Sequence, residues 1–310
     1  MDTILLRSSP SWRMRLVCQV LAARGTKRVL GSAEQTEHDR RRNGARGVPA
    51  PRRRHSARYG FRETTLADVR CLEVVDSRRP DPRRTIVYVH GGAYVNPPVV
   101  QHWDLIAALA TENDARVVAP LYPLAPAGTA ATVVPLMLDV DAAVRARYGP
   151  RVVWAGDSAG GGLALATALA LRDQGRTVPD HLVLVAPWLD VTMSNPGVGQ
   201  VEPRDPSLAV PGLQHAGRLW AGGTDPRDPL VSPGFADLDE LPPTTLVVGD
   251  RDLFLQDCRD LAERAGRAGV DVSLVEAAGG FHVFPAVTFL PESKAARRHV
   301  SARLAENPRG

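Results

Sequence analysis

The sequence predicts an α/β protein: a mostly parallel central sheet with helices on both faces. Three observations carry this. Short runs rich in Val, Ile and Leu recur past residue 60, apolar at nearly every position, as strands covered on both faces are. Segments of helical length separate them, and strand–helix–strand is the order of crossover units. With 44% hydrophobic and 23% charged residues, the 310-residue chain has enough apolar side chain for one large core.

At the N-terminus, Trp12, Leu16, Val17, Val20 and Leu21 fall at helical spacing, which predicts an amphipathic helix burying that stripe against the rest of the protein. Residues 14–23 are not read as a signal peptide. Arg15 and Gln19 interrupt the apolar stretch, and Asp2 stands where a basic region belongs. Between residues 38 and 58, Arg40, Arg41, Arg42, Arg46, Arg52, Arg53, Arg54 and Arg58 stand against one acid, Asp39. This run outweighs the chain's net charge of +4, so the remainder is mildly acidic. It reads as a solvated, partly mobile linker, and without interleaved aromatics it gives no reason to expect nucleic acid. The organisation expected is an N-terminal segment with basic linker over 1–60 and a sheet domain over 61–310.

Residues 66–75, alternating and polar, predict one antiparallel strand ahead of the sheet. Then follow 85–89 (TIVYV), 115–119 (ARVVA), 151–154 (RVVW), 182–185 (LVLV), 244–248 (TTLVV) and 270–275 (VDVSLV). Helices are expected over about 101–113, 132–148, 159–174, 255–268 and 291–306. An insertion near 190–225, rich in Pro and Gly with a helix-like piece over 208–220, breaks the alternation, and such insertions often cover a site. No stretch reaches the roughly 18 apolar residues of a membrane span. Cys18, Cys71 and Cys258 lack metal-ligand spacing, which fits reduced thiols, a cytoplasmic protein and no metal.

The strongest motif is Gly156-Asp157-Ser158-Ala159-Gly160, a G-x-S-x-G run between the strand RVVW and a small-residue helix. A strand–turn–helix context makes such a run a nucleophile elbow: the turn is sharp, and residues two positions from the serine must lack bulk. His90-Gly91-Gly92-Ala93-Tyr94 follows TIVYV directly, and a Gly-Gly pair there supplies unobstructed amides for an oxyanion. His90 reads as a brace for this loop. Of the later histidines, His181 leads a core strand, His215 lies in the insertion and His299 in the last helix. His282 sits on the loop before that helix, where a base belongs. The acid follows the strand TTLVV: Asp252 is the choice and Asp250 the alternative, with a helix N-cap the ordinary role of either. Asp252 would then set the tautomer of His282, and His282 would take the proton of Ser158.

In one order the chain carries HGGAY (90–94), YPLAP (122–126), GDSAGG (156–161), APWLD (186–190), DPLVSP (228–233), LPPTTLVVGDRD (241–252) and FH (281–282). From about residue 84 onward it thereby resembles the hormone-sensitive-lipase-like group of α/β-hydrolases, the bacterial family IV carboxylesterases. The resemblance implies the α/β-hydrolase fold with a helical cap built from the N-terminal segment and the insertion. It implies the triad Ser158, Asp252 and His282. The oxyanion hole falls on the loop Gly91-Gly92-Ala93, with the amides of Gly92 and Ala93 in the family's donor positions, and on Ala159. Two departures stand out: Ala93 replaces a glycine, and Ala127 stands where the family carries an acid. Tyr94, Trp188, Trp220, Phe281 and Phe284 are candidates for an acyl pocket, with core packing the alternative. The activity implied is hydrolysis of short- to medium-chain acyl esters through an acyl-enzyme, without cofactor or metal. An amidase, formamidase or acetyl-hydrolase acting on a small metabolite would use the same residues. The expected partner is a small acyl ester, with no nucleic acid and no membrane span; a homodimer is left open.

Overall fold

The computed structural model describes residues 2–306. Among them, nine strands form one sheet: β1 (Asp2–Leu5), β2 (Tyr59–Leu66), β3 (Val69–Asp76), β4 (Arg84–Val89), β5 (Ala115–Pro120), β6 (Val152–Asp157), β7 (His181–Val185), β8 (Thr244–Gly249) and β9 (Val272–Ala277). Their spatial order is β1-β9-β8-β7-β6-β4-β5-β3-β2. Only the β2–β3 and β3–β5 pairs are antiparallel. The helices are α1 (Trp12–Ala23), α2 (Ala33–Arg46), α3 (Arg53–Ser56), α4 (Val100–Glu112), α5 (Ala130–Tyr148), α6 (Ala159–Asp173), α7 (Val198–Val201), α8 (Val210–Ala221), α9 (Leu255–Arg267) and α10 (Pro291–Glu306).

The near-continuous apolar runs have a simple cause. Alternate residues of each central strand enter two separate cores. In β6, Trp154 belongs to the core that also holds residues of α5, α6 and α9, while Val153 and Ala155 belong to the one that holds residues of α4, α10 and α1. Neither side of the strand faces water, so a charge is held there only with partners, as Asp157 at the strand's end is.

Four features differ from the sequence reading. β1 was not expected; its four residues pair in parallel with β9, from Asp2 opposite Ser273 to Leu5 opposite Glu276. The antiparallel strand expected over 66–75 is β3, but an unexpected strand, β2, precedes it, and the two form a hairpin closed by Ala67 (φ 47°) and Asp68 (φ 60°). Two successive positive φ values match the right-handed twist of the strands.

Much of the arginine run is helical. Arg40, Arg41, Arg42 and Arg46 lie on α2, whose N-terminus is capped by Ser32 Oγ accepting from Gln35 N at 3.1 Å. Arg40 Nε and Arg41 Nε donate to Glu37 at 2.7 and 2.8 Å, and Arg42 pairs with Asp39. These bonds hold the Glu37 carboxyl down to about 2.

The fourth difference is the face that α1 buries. Met14 and Cys18 are buried, with Val17 and Leu21 partly so. Trp12, Leu16 and Val20 remain 68%, 49% and 40% exposed. Ser11 fixes this orientation: its Oγ accepts from Met14 N, and its own N–H and hydroxyl donate to Glu292 on α10 at 2.7 and 3.0 Å.

Candidate active site

Parallel strands put their C-terminal ends on one edge of the sheet, and the loops there meet. Ser158 follows β6, the Asp250–Asp252 loop follows β8, the His282 loop follows β9, and His90-Gly91-Gly92 follows β4. Residues more than a hundred positions apart are thereby brought to one edge.

Ser158 adopts φ 53° and ψ −124° at the start of α6, a conformation costly for any residue with a side chain. The close approach of backbone around it accounts for the flanking glycines. A Cβ on Gly160 would lie 2.1 Å from Val89 O, and one on Gly156 would lie 2.4 Å from Gly160 O. Ser158 is buried, its N–H donates to Val185 O, and its carbonyl accepts from Gly162 N and Trp188 N. The serine is thus held by the end of β7, the loop after it and the first turn of its own helix α6.

The two aspartates after β8 are separated by their partners. Asp252, fully buried, accepts from His282 Nδ1 at 2.9 Å and from Phe254 N at 3.0 Å. Asp250 accepts instead from Gly279 N at 2.8 Å and so braces the backbone of the histidine loop. With Nδ1 committed to Asp252, Nε2 is the ring atom left to take a proton. Burial opposes charge on His282, but Asp252, then Asp205 and Asp157, outweigh it, and its pKa is raised. Among the described residues no hydrogen bond joins Ser158 Oγ to His282. Such bonds often close only when substrate binds.

The glycine loop is braced by a buried carboxylate. Asp157 accepts from Tyr88 Oη at 2.6 Å, from Gly91 N at 3.0 Å and from His102 Nε2 at 3.2 Å. Burial raises the pKa of Asp157, but His102, Tyr88 and the Gly91 amide lower it further, and the net shift is downward. The Gly91 amide is therefore occupied, which removes Gly91 from the candidate oxyanion donors. Among the described residues the amides of Gly92, Ala93 and Ala159 have no protein acceptor. His90 Nδ1 donates to Gly91 O at 2.7 Å, its ring stacks on Tyr122 at 4.5 Å, and burial pushes its pKa down to about 4. A neutral, enclosed His90 is a brace. Ala93 and Tyr94 have φ 53° and 62°, so the alanine occupies a conformation that glycine adopts freely.

Comparison with known proteins agrees with this geometry. The family model described as alpha/beta hydrolase fold matches residues 86–286. The chain belongs to the alpha/beta-hydrolase family. It is 38% identical over 199 residues to a triacylglycerol lipase of Mycobacterium tuberculosis, covering 64% of this chain and 41% of that protein. It therefore spans well under two thirds of that relative. It is 35% identical to an acetyl-hydrolase of Streptomyces hygroscopicus, covering 65% of this chain and 68% of the relative. An esterase of Acinetobacter venetianus is 32% identical, covering 76% and 78%. Among solved structures, a hormone-sensitive lipase from a metagenome library superimposes with a TM-score of 0.82 at 27% identity, covering 97% of this chain and 100% of that one.

The five candidate pocket aromatics divide into two groups. Trp220, Tyr94 and Trp188 stack in sequence, with centroids 4.0 and 5.6 Å apart, and Phe254 continues the row to within 5.2 Å of the His282 ring. Phe281 and Phe284 lie instead in the core cluster that holds Met14 and Leu290. Phe254 was missed because it lies inside an apparent helix start. His102 was missed for a similar reason: one histidine in a helix carries no signal of its partner.

Asp205 was also missed. Its Oδ1 accepts from Ser207 N and Leu208 N, and its Oδ2 from Leu253 N, next to Asp252. Burial, then the charge of Asp252, pushes Asp205 up to about 6. The insertion's other tie is to the N-terminal segment. At Gly212 of α8 a Cβ would lie 2.4 Å from Thr36 Oγ1, so α2 rests directly on α8.

Proposed function

We propose that this hydrolase is a serine carboxylesterase acting on short- to medium-chain acyl esters. The observation that carries the reading is the His282–Asp252 hydrogen bond of 2.9 Å, on the sheet edge where Ser158 caps α6 in a strained elbow. Ser158 Oγ attacks the ester carbonyl while its proton passes to His282 Nε2, and Asp252 supports the imidazolium. The oxyanion is held by the amides of Gly92, Ala93 and Ala159. The C–O bond breaks as His282 returns the proton to the departing alcohol. Water, deprotonated by His282, then releases the acid and frees Ser158. The cap over this edge comprises α1 and α2 with α7 and α8, and the Trp220–Tyr94–Trp188–Phe254 row forms a wall of the acyl site.

Relatives named acetyl-hydrolase and triacylglycerol lipase bracket the acyl length, and neither name favours an amide substrate. A reducing cytoplasmic setting is supported by three free, buried cysteines. The test is hydrolysis of p-nitrophenyl esters from acetate to laurate, with fluorophosphonate labelling mapped by mass spectrometry. Ser158→Ala should lower kcat by several orders of magnitude and abolish labelling. Labelling at another serine, or turnover retained in Ser158→Ala, would remove the assignment.

A further inference from the structure

Among the described residues the outer face of α1 is left exposed, and it carries an unusual combination of groups. Trp12, Leu16 and Val20, 68%, 49% and 40% exposed, recur every four residues. At 3.6 residues per turn they span only about 80° of the helix. The buried residues Met14 and Cys18 lie on the far side, so α1 is apolar on two opposed faces. Leu5, just before it, is 58% exposed. From residue 3 to residue 33 the chain carries Arg7, Arg13, Arg15, Arg24, Lys27 and Arg28 and no acid. The Arg13 guanidinium lies over the Trp12 ring, 5.4 Å from its centroid.

A cleft of about 730 Å³ flanks the same helix along Arg15, Gln19 and Ala22. Its wall adds Lys27, Arg28, Arg204 and Arg251 against one acid, Asp205, whose oxygens are already engaged by backbone amides. Among the described residues Arg15, Arg28, Arg204 and Arg251 have no carboxylate partner. Cations left unpaired beside an exposed indole and two aliphatic side chains match a surface that offers phosphate and hydrocarbon together.

We propose that the outer face of α1 docks this protein on an anionic lipid bilayer. Trp12, Leu16 and Val20 enter the headgroup–acyl boundary, and the arginines beside them, with the cleft, take headgroup phosphates. A second copy of the chain fits less well: a two-fold contact through this face would set a strongly basic segment against itself. A nucleic-acid backbone offers phosphate but nothing for Leu16 and Val20. No helix among the described residues is long and apolar enough to cross a membrane, so the contact is peripheral. Because α1 packs beside the histidine loop, with Cys18 Sγ donating to Gly279 O, docking would bring the active-site edge to lipid-borne esters.

The test uses the full chain and does not depend on turnover, so it stands or falls separately from ester chemistry. Vesicles of phosphatidylcholine alone, and with one third phosphatidylglycerol, are mixed with protein and sedimented while tryptophan emission is followed. Trp103, Trp154, Trp188 and Trp220 are buried, so a blue shift reports Trp12. The expected result is retention and a blue shift with anionic vesicles only, both weakened by salt. Arg13→Gln and Arg15→Gln should each weaken binding about five-fold. Trp12→Gln/Leu16→Gln should abolish retention with an unchanged thermal midpoint, since both side chains are exposed. Equal retention on neutral vesicles, none on anionic ones at low salt, or retention that survives the double variant would overturn the proposal. A blue shift that grows with protein concentration without lipid would overturn it in favour of a second copy.

Discussion

The sharpest separation the site offers is between Asp252 and Asp250, two carboxylates on one loop with different partners. In Asp252→Asn the retained oxygen can still accept from Phe254 N, now 3.0 Å away. The new amide nitrogen then faces His282 Nδ1, where an oxygen stood at 2.9 Å. A donor there forces Nδ1 to accept, so the ring proton moves to Nε2, the atom that must take the proton of Ser158. The variant also loses the charge that supports the imidazolium. Together these should lower kcat about 10⁴-fold, on the order of 5 kcal/mol of barrier. Asp250→Asn keeps an acceptor for Gly279 N and changes no bond to His282. It weakens one charge-assisted hydrogen bond, so the expected effect on kcat/KM is less than about ten-fold, with about 1 kcal/mol of stability lost. The assay is kcat/KM on p-nitrophenyl butyrate for both variants, each checked by thermal unfolding. On a His282→Ala background Asp252→Asn should add little, because triad members act as a unit. Asp252→Asn within about ten-fold of the parent, or Asp250→Asn as damaging as Asp252→Asn, would refute this reasoning.

Two further outcomes follow from titration. The raised pKa of His282 requires kcat/KM to climb with pH through a single ionisation placed above histidine's ordinary 6.5, because only the neutral ring is a base; a pH–rate profile flat across that range would contradict it. Asp257, pushed up to about 7 by burial, has one oxygen accepting from Asn195 at 2.7 Å and the other without a partner. Between its unfolded pKa and about 7 the folded state holds a proton that the unfolded chain has released, so this group makes stability fall as pH rises. Asp257→Asn should therefore unfold at higher urea at about pH 8, by about 2 kcal/mol, and gain little at about pH 4.

What could be read from the sequence divides along physical lines. The central strands were legible because burial on both faces leaves apolar residues at every position, and the candidate triad could be proposed because its members follow strands in chain order. β1 was not, since four residues at a sheet edge owe their conformation to pairing with β9. The hairpin turn was not, because Ala67-Asp68 adopts positive φ without the usual glycine or asparagine. The arginine run misled because Glu37, which pairs with Arg40 and Arg41, lies one turn before the basic stretch. Charge counted along the chain missed a neutralisation that only helical spacing creates. On α1 the pattern contained two apolar faces, and periodicity alone could not say which would be covered.

Polar contacts join α2 and the insertion to the loops that carry the candidate site. On α2, Asn43 Nδ2 donates to Asn96 Oδ1 at 3.0 Å, and Asn96 N donates to Gly92 O at 2.9 Å. The basic helix is therefore two hydrogen bonds from the oxyanion loop. On the insertion, Asp205 reaches Leu253 N, one residue from the acid that orients His282. The two segments thus reach different loops of the candidate site, α2 the Gly92 loop and 202–209 the Asp252 loop. A neutral hydrogen bond such as Asn43–Asn96 contributes about 1 kcal/mol net, far less than the packing that holds the sheet. Through Asn96, α2 is tied to Gly92, one of the proposed oxyanion donors.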